Sequence, residues 1–176
     1  VEDDHDAPKT VNTRRARPPA SALNRAVGLL SRREHSEREL SRKLVQRGLE
    51  PEEVGSAIRR LQSLSLQSDE RFAENLIRSR AQSGHGPLHI RAELALHGLT
   101  STSIDMQFDS LAIDWNACAA LLAQRRCNKQ SENSPSENRR IANTLLRRGF
   151  SMDHVRHALR TLSDTTDNEE SPHDQD

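Results

Sequence analysis

The sequence predicts an all-α protein built as three tandem three-helix repeats forming an elongated, curved helical array. Three observations predict it. Gly48, Gly98 and Gly149 superimpose at offsets of 50 and 51 residues, with apolar residues recurring at matching positions around each. The apolar residues run at three- and four-residue spacing, which is helical and not strand-like. Only 33% of the chain is hydrophobic and its only aromatics are Phe72, Phe108, Phe150 and Trp115, with no Tyr, which favours several thin cores over one large one.

Residues 1–20 are polar, carry Pro8, Pro18 and Pro19, and show no apolar period, so a disordered tail is expected there. The first repeat, 21–66, opens with an amphipathic segment holding Leu23, Ala26, Val27 and Leu30. Ser36 and Glu39 form a capping box for its second helix, whose face is Leu40 and Leu44 and which ends at Gly48. Glycine at the C′ position takes the left-handed backbone that closes a helix, and Leu49 behind it packs back over the last turn. Glu50 and Pro51 then start a third helix with Val54, Ile58 and Leu61 on one side.

The second repeat, 67–112, follows the same plan. Ser68 or Asp69 caps a helix carrying Phe72, Leu76 and Ile77. Gly86 and Pro87 open the next, with Ile90 and Leu94 before Gly98 and Leu99, and Thr100 caps the last, with Ile104, Phe108 and Leu111. In the third repeat, 113–163, Asp114 caps a helix with Trp115, Ala119 and Leu122. A polar stretch, 128–137, reads as a longer loop and an internal hinge. Ile141 and Leu145 lead to Gly149 and Phe150; Ser151 caps a ninth helix with Val155, Leu159 and Leu162. Residues 164–176 are expected to be a disordered acidic tail.

Formal net charge is zero, but its distribution is uneven. Residues 1–6 and 164–176 contain ten of the 26 acidic residues and no Lys or Arg. The intervening chain keeps 16 acidic residues against all 26 basic ones, an excess of ten positive charges. Such a body favours polyanions or an acidic protein face, with binding that weakens as salt rises. Arg32, Arg33, Arg38, Arg42, Lys43 and Arg47 cluster in the first repeat, and Arg139, Arg140, Arg147, Arg148, Arg156 and Arg160 in the third. Of these, Arg38, Arg42, Lys43, Arg47, Arg139, Arg140, Arg147 and Arg148 are the candidate contacts to a filament or to DNA, while Gly48, Gly98, Gly149, Phe72 and Phe150 fix the repeat register. Glu34, Glu37 and Glu39 lie among the first cluster and offer i+4 pairing instead.

Signals of catalysis are absent: there is no phosphate loop, HExxH motif or nucleophile elbow. The pairs His85/His89 and His154/His157 could share a helix face, but no further ligand adjoins them at suitable spacing, so no metal and no cofactor is expected. Cys118 and Cys127, nine apart, match no CxxC pattern and read as ordinary thiols. The absence of a long apolar run points to a soluble, cytoplasmic protein without membrane contact, and a monomer is expected. A helix–turn–helix DNA reader would also join short helices through glycine, but Arg47 and Arg148 stand where such a unit wants an apolar contact.

The run Arg33-Glu34-His35-Ser36-Glu37-Arg38-Glu39-Leu40, with Lys43-Leu44 and Gly48 after it, resembles the opening signature of the RecX family. Asp69-Glu70-Arg71-Phe72-Ala73, Gly84-His85-Gly86-Pro87 with Ile90, Glu93-Leu94 and Gly98, and Arg147-Arg148-Gly149-Phe150 continue the resemblance in order from about residue 22 to 162. The polar loop 128–137, with Lys129 as its only basic residue, departs from the family pattern. The resemblance implies a crescent-like, non-catalytic protein that docks in the groove of the RecA–single-stranded DNA filament. It implies inhibition of filament growth, ATP hydrolysis, strand exchange and repressor cleavage in the SOS response. The charges alone also fit a nucleic-acid-binding protein that acts independently of RecA.

Overall fold

A computed structural model describes residues 21–127 and 134–169. The expected tail 1–20, residues 170–176 of the acidic tail and residues 128–133 of the polar loop lie outside the described residues. Among the described residues there are nine helices and no strand: α1 (Ala22–Leu30), α2 (Glu37–Val45), α3 (Pro51–Ser63), α4 (Asp69–Gln82), α5 (Pro87–Leu96), α6 (Ser101–Leu111), α7 (Trp115–Arg126), α8 (Pro135–Arg147) and α9 (Met152–Glu169). Closely packed helix pairs fall within the triplets α1–α3, α4–α6 and α7–α9, each around its own apolar core. Three thin cores are what the scarcity of aromatic residues calls for.

The glycine register is realised as backbone geometry. Gly48, Gly98 and Gly149 have φ of +79°, +92° and +87°. After each, the next residue's N–H reaches the carbonyl five residues back: Leu49 to Leu44 at 3.4 Å, Leu99 to Leu94 at 3.4 Å and Phe150 to Leu145 at 3.1 Å. The glycine N–H meanwhile bonds Val45, Ala95 or Leu146, completing the double closure that satisfies the last carbonyls of a helix. Leu40, Leu44, Ile90, Leu94, Ile141 and Leu145, the paired positions ahead of the glycines, are all buried.

Helix starts follow side-chain chemistry. Ser21, Ser36, Ser68, Thr100, Asp114 and Ser134 each accept an N–H from three residues on. Ser68, rather than Asp69, caps α4. Ser151 is held in a reciprocal box: its backbone N–H donates to His154 Nδ1 at 3.2 Å while the N–H of His154 reaches Ser151 Oγ at 3.4 Å. Histidine thus takes the place that Glu or Gln fills in the usual capping box.

Three expectations are corrected. Val27 is 43% exposed, and α1 buries Ala22, Ala26 and Leu29, the two alanines being small enough to allow close approach to α3. Residues 135–137 of the supposed loop form the first turn of α8, because Ser134 caps it, Pro135 sits at N1 and Glu137 at N3. Finally, α9 continues to Glu169, into the stretch assigned to the acidic tail. A packed helix propagates at the gain of one hydrogen bond per residue fixed, so a polar composition does not by itself stop it.

The two junctions between units differ in kind. Units one and two meet through side chains: Glu37 N–H donates to Asp69 Oδ1 at 2.8 Å, Arg71 Nε to Glu34 Oε1 at 2.8 Å and Gln67 Nε2 to the His35 carbonyl at 3.3 Å. Ser36 Oγ lies 2.9 Å from His97 Nδ1, and the His97 ring packs 4.6 Å from that of Phe72. Units two and three meet backbone to backbone: the N–H of Gly86 donates to the Arg148 carbonyl at 2.7 Å and that of Leu88 to the Gly149 carbonyl at 3.0 Å. Free N–H groups at the start of α5 are therefore satisfied by carbonyls from the α8–α9 turn. Trp115 adds an apolar bridge, touching the cores of both units and stacking on Phe108 at 5.6 Å.

Candidate partner-binding surfaces

The basic residues of α2 do not act as one cluster. Arg38 and Arg42, one turn apart, share a face with Ser41 and Val45 and line a groove of about 840 Å³ between α2 and the α5–α6 turn. Leu96, His97 and Gly98 form the opposite wall, with Glu37 and Asp69 at the end where the units join. Leu96 is 75% exposed and Val45 40%, so the groove has apolar lips beside its two guanidinium groups. Arg38 and Arg42 form no ion pair among the described residues. The stem of Arg38 passes Gly98, where an added Cβ would sit 3.4 Å from its Cδ.

Lys43 is separated from them. It lies on the other side of α2, 2.9 Å from the Glu39 carboxylate, which also takes two hydrogen bonds from Arg33. Glu39 is only 7% exposed. Burial raises its pKa, but the hydrogen bonds from Arg33 and Lys43 outweigh that and hold the carboxyl at about 2. His35, almost fully buried, lies between the carbonyl of Arg33, 2.9 Å from Nδ1, and the ammonium of Lys43, 3.2 Å from Nε2. These contacts fit a neutral ring that donates from Nδ1 and accepts at Nε2. Its pKa is lowered, first by burial. Lys43 is thus a structural cation beneath the start of α2. Arg47, in the turn before Gly48, is exposed, and its carbonyl takes a hydrogen bond from Arg25 Nη1 at 3.4 Å.

In the third unit the structure brings Arg140, Arg147 and Arg148 together and adds Arg126. These four arginines, with Ile141 and Thr144, line a cleft of about 530 Å³ that has no acidic lining residue among the described residues. Arg140 is tethered: its Nε and Nη2 grip both oxygens of Glu137, at 2.9 and 2.6 Å, and Nη2 reaches the Arg126 carbonyl at 2.8 Å. Arg148 Nη1 donates to the Ser83 carbonyl of the second unit at 3.3 Å. Arg147 and Arg126 are exposed and carry no ion pair among the described residues. Arg139 is exposed on α8 but outside the cleft, because adjacent helical residues point about 100° apart.

Arg126 escaped sequence reasoning. It belongs to the last turn of α7, and only the packing of α7 beside α8 brings it to residues 14 to 22 positions further on. Asp69 and Arg71, which look like a local cap and a local pair, serve the joint between units. The rings of His85 and His89 stack at 4.8 Å. No group of three His, Cys, Asp or Glu residues converges to hold a metal among the described residues. Cys118 and Cys127 form no disulfide among the described residues. No described helix is long and apolar enough to cross a membrane.

Comparison with known proteins fits this geometry. The family signatures for the first, second and third three-helix domains of RecX match residues 22–61, 68–106 and 114–159. The chain is 44% identical over 156 residues to the regulatory protein RecX of Stenotrophomonas maltophilia strain K279a, covering 88% of this chain and 96% of that one. It is 46% identical over 138 residues to that of Xanthomonas axonopodis pv. citri strain 306, covering 78% and 85%. Its fold is similar to the crystal structure of RecX from Lactobacillus salivarius, with a TM-score of 0.69 at 24% identity over 81% of this chain and 94% of the other.

Proposed function

The chain belongs to the RecX family of regulatory proteins, and from that premise we propose that it binds the RecA–single-stranded DNA filament and inhibits the recombinase, ATPase and co-protease activities of RecA. It would thereby restrain recombination and the SOS response as a cytoplasmic, monomeric regulator that catalyses nothing and needs no cofactor. The observation that carries this reading is the complete set of three family domains, in order, in a chain that presents arginines without ion pairs among the described residues along two grooves. Arg38 and Arg42 face the groove between the first two units, and Arg126 and Arg147 face the cleft in the third. Tandem units of this kind give reach along a repeating partner, and cations give attraction to an anionic nucleoprotein.

The test is co-sedimentation with RecA filaments, with and without ATP and single-stranded DNA, together with RecA ATPase rates. The protein should pellet with the filament and slow ATP hydrolysis at substoichiometric amounts. Arg38→Ala with Arg42→Ala should weaken inhibition while far-UV circular dichroism is unchanged. No pelleting and no effect on hydrolysis over a wide concentration range would refute the reading.

A further inference from the structure

The cleft of the third unit has the chemistry of an anion site. Its lining residues come from two helices packed side by side: Arg126 from the end of α7, and Arg140, Thr144, Arg147 and Arg148 from one side of α8 and its end. Arg140 and Arg147 lie about 10 Å apart by helical rise, so the cleft is longer than a single phosphate group. Two of the four guanidinium groups are fixed in place by other contacts. Arg140 is held by Glu137 and the Arg126 carbonyl through Nε and Nη2, and Arg148 is held by the Ser83 carbonyl through Nη1. Each retains a terminal nitrogen that these bonds do not use, Nη1 of Arg140 and Nη2 of Arg148. The other two, Arg126 and Arg147, remain uncommitted among the described residues.

We infer that this cleft is a binding site for the phosphodiester backbone of single-stranded nucleic acid, gripping two successive phosphates through Arg126 and Arg147, with Arg140 and Arg148 held beside them as fixed N–H donors. Guanidinium groups match phosphate oxygens in fork geometry, and partial anchoring reduces the ordering cost of binding. The groove of the first unit is different. It mixes Arg38 and Arg42 with Glu37, Asp69 and the apolar lips Val45 and Leu96, a lining that suits a protein segment better than a polyanion. Among the described residues the cleft is lined by no exposed apolar side chain and no carboxylate, which favours a uniformly charged backbone over a mixed peptide. Its lining offers, among the described residues, no aromatic ring on which a base could stack, so the grip is on phosphates and not on bases.

The inference deepens the filament reading, yet it is tested without RecA, so either can fail while the other stands. Fluorescence anisotropy of a labelled oligothymidylate is measured with the full chain across a salt series. Removing two phosphate contacts from a single strand lowers the slope of log affinity against log salt by about 1.4, which at 0.15 M salt is roughly a tenfold loss. Arg126→Gln with Arg147→Gln should show both changes. Arg59→Gln with Arg60→Gln, the same charge change on the exposed side of α3, should leave most of the slope in place. Thr144→Glu keeps all four arginines but puts a carboxylate into the cleft, and should weaken binding at least as much. Unchanged slope in the cleft variants, with helicity intact by circular dichroism, would overturn the inference. So would displacement of the oligonucleotide by polyglutamate as readily as by unlabelled oligonucleotide, which would assign the cleft to an acidic protein.

Discussion

Gly48 and Gly149 occupy the same place in the repeat and have nearly the same φ, yet replacing each by alanine should have very different consequences. At Gly48 an added Cβ meets nothing within 4 Å. Gly48→Ala therefore bears only the left-handed backbone penalty of about 1–2 kcal/mol, partly offset by the roughly 0.4–1 kcal/mol that alanine gains by restricting the unfolded chain. A net loss of about 1 kcal/mol follows. At Gly149 the same Cβ would lie 2.5 Å from both Cβ and the backbone nitrogen of His89. The backbone penalty is joined by an overlap that only separation of units two and three can relieve, costing about 1–3 kcal/mol. Separation would also loosen the hydrogen bonds from Gly86 to Arg148 and from Leu88 to Gly149, each worth about 1 kcal/mol. The expected total for Gly149→Ala is about 3 kcal/mol or more. Gly86→Ala isolates the steric part, since no positive φ is involved and its Cβ would fall 2.4 Å from the Gly149 carbonyl carbon and oxygen. Urea unfolding followed by circular dichroism, with Trp115 fluorescence as a local reporter of the boundary between cores two and three, measures all three variants. Equal losses for Gly48→Ala and Gly149→Ala, or a neutral Gly86→Ala, would refute the close-packed backbone junction.

The buried carboxylate and the capping histidine give two further predictions. Glu39 held at about 2 instead of its usual 4.5 corresponds to about 3 kcal/mol of stability at neutral pH, present above 4.5 and lost as pH falls toward 2. Glu39→Gln should therefore lose about 3 kcal/mol in urea unfolding at pH 7, with the gap to the parent narrowing at pH 3; a pH-independent gap would contradict the ion cluster. His154 has its pKa lowered, first by burial, and its unprotonated Nδ1 accepts the Ser151 N–H. A depressed histidine stabilises the fold above the unfolded value near 6.5, and that contribution is lost as pH falls below it through the folded value. Thermal stability should fall between pH 7.5 and 5.5, and less steeply in His154→Gln, which keeps an acceptor that does not titrate; identical slopes would exclude His154 as a contributor.

Much of the unit architecture was legible in the chain because its determinants are local. A glycine that must take positive φ, an apolar residue behind it and a stripe at helical spacing act within a dozen residues, so Gly48, Gly98 and Gly149 announce the repeat directly. Val27 was misplaced and Ala22 passed over because valine outweighs alanine in any apolar count, whereas packing buries the small Ala22 beside the expected Ala26 and leaves Val27 exposed. The start of α8 was missed although Ser134, Pro135 and Glu137 carry it, because polarity around them reads as loop.

Charge was legible in sum and not in use. The sequence determined that the body between the acidic ends is basic and that Arg140, Arg147 and Arg148 are near one another on a helix. Only tertiary structure decided that Lys43 and Arg140 are claimed by Glu39 and Glu137, that Arg126 joins from another helix, and that Arg38 and Arg42 face a groove shared with the second unit. It also made Gly149 a point of contact between units while its equivalent Gly48 stays open. The physical reason is range: a helical period fixes which side chains share a face, but pairing, desolvation and steric contact depend on distances between segments that sequence order does not contain.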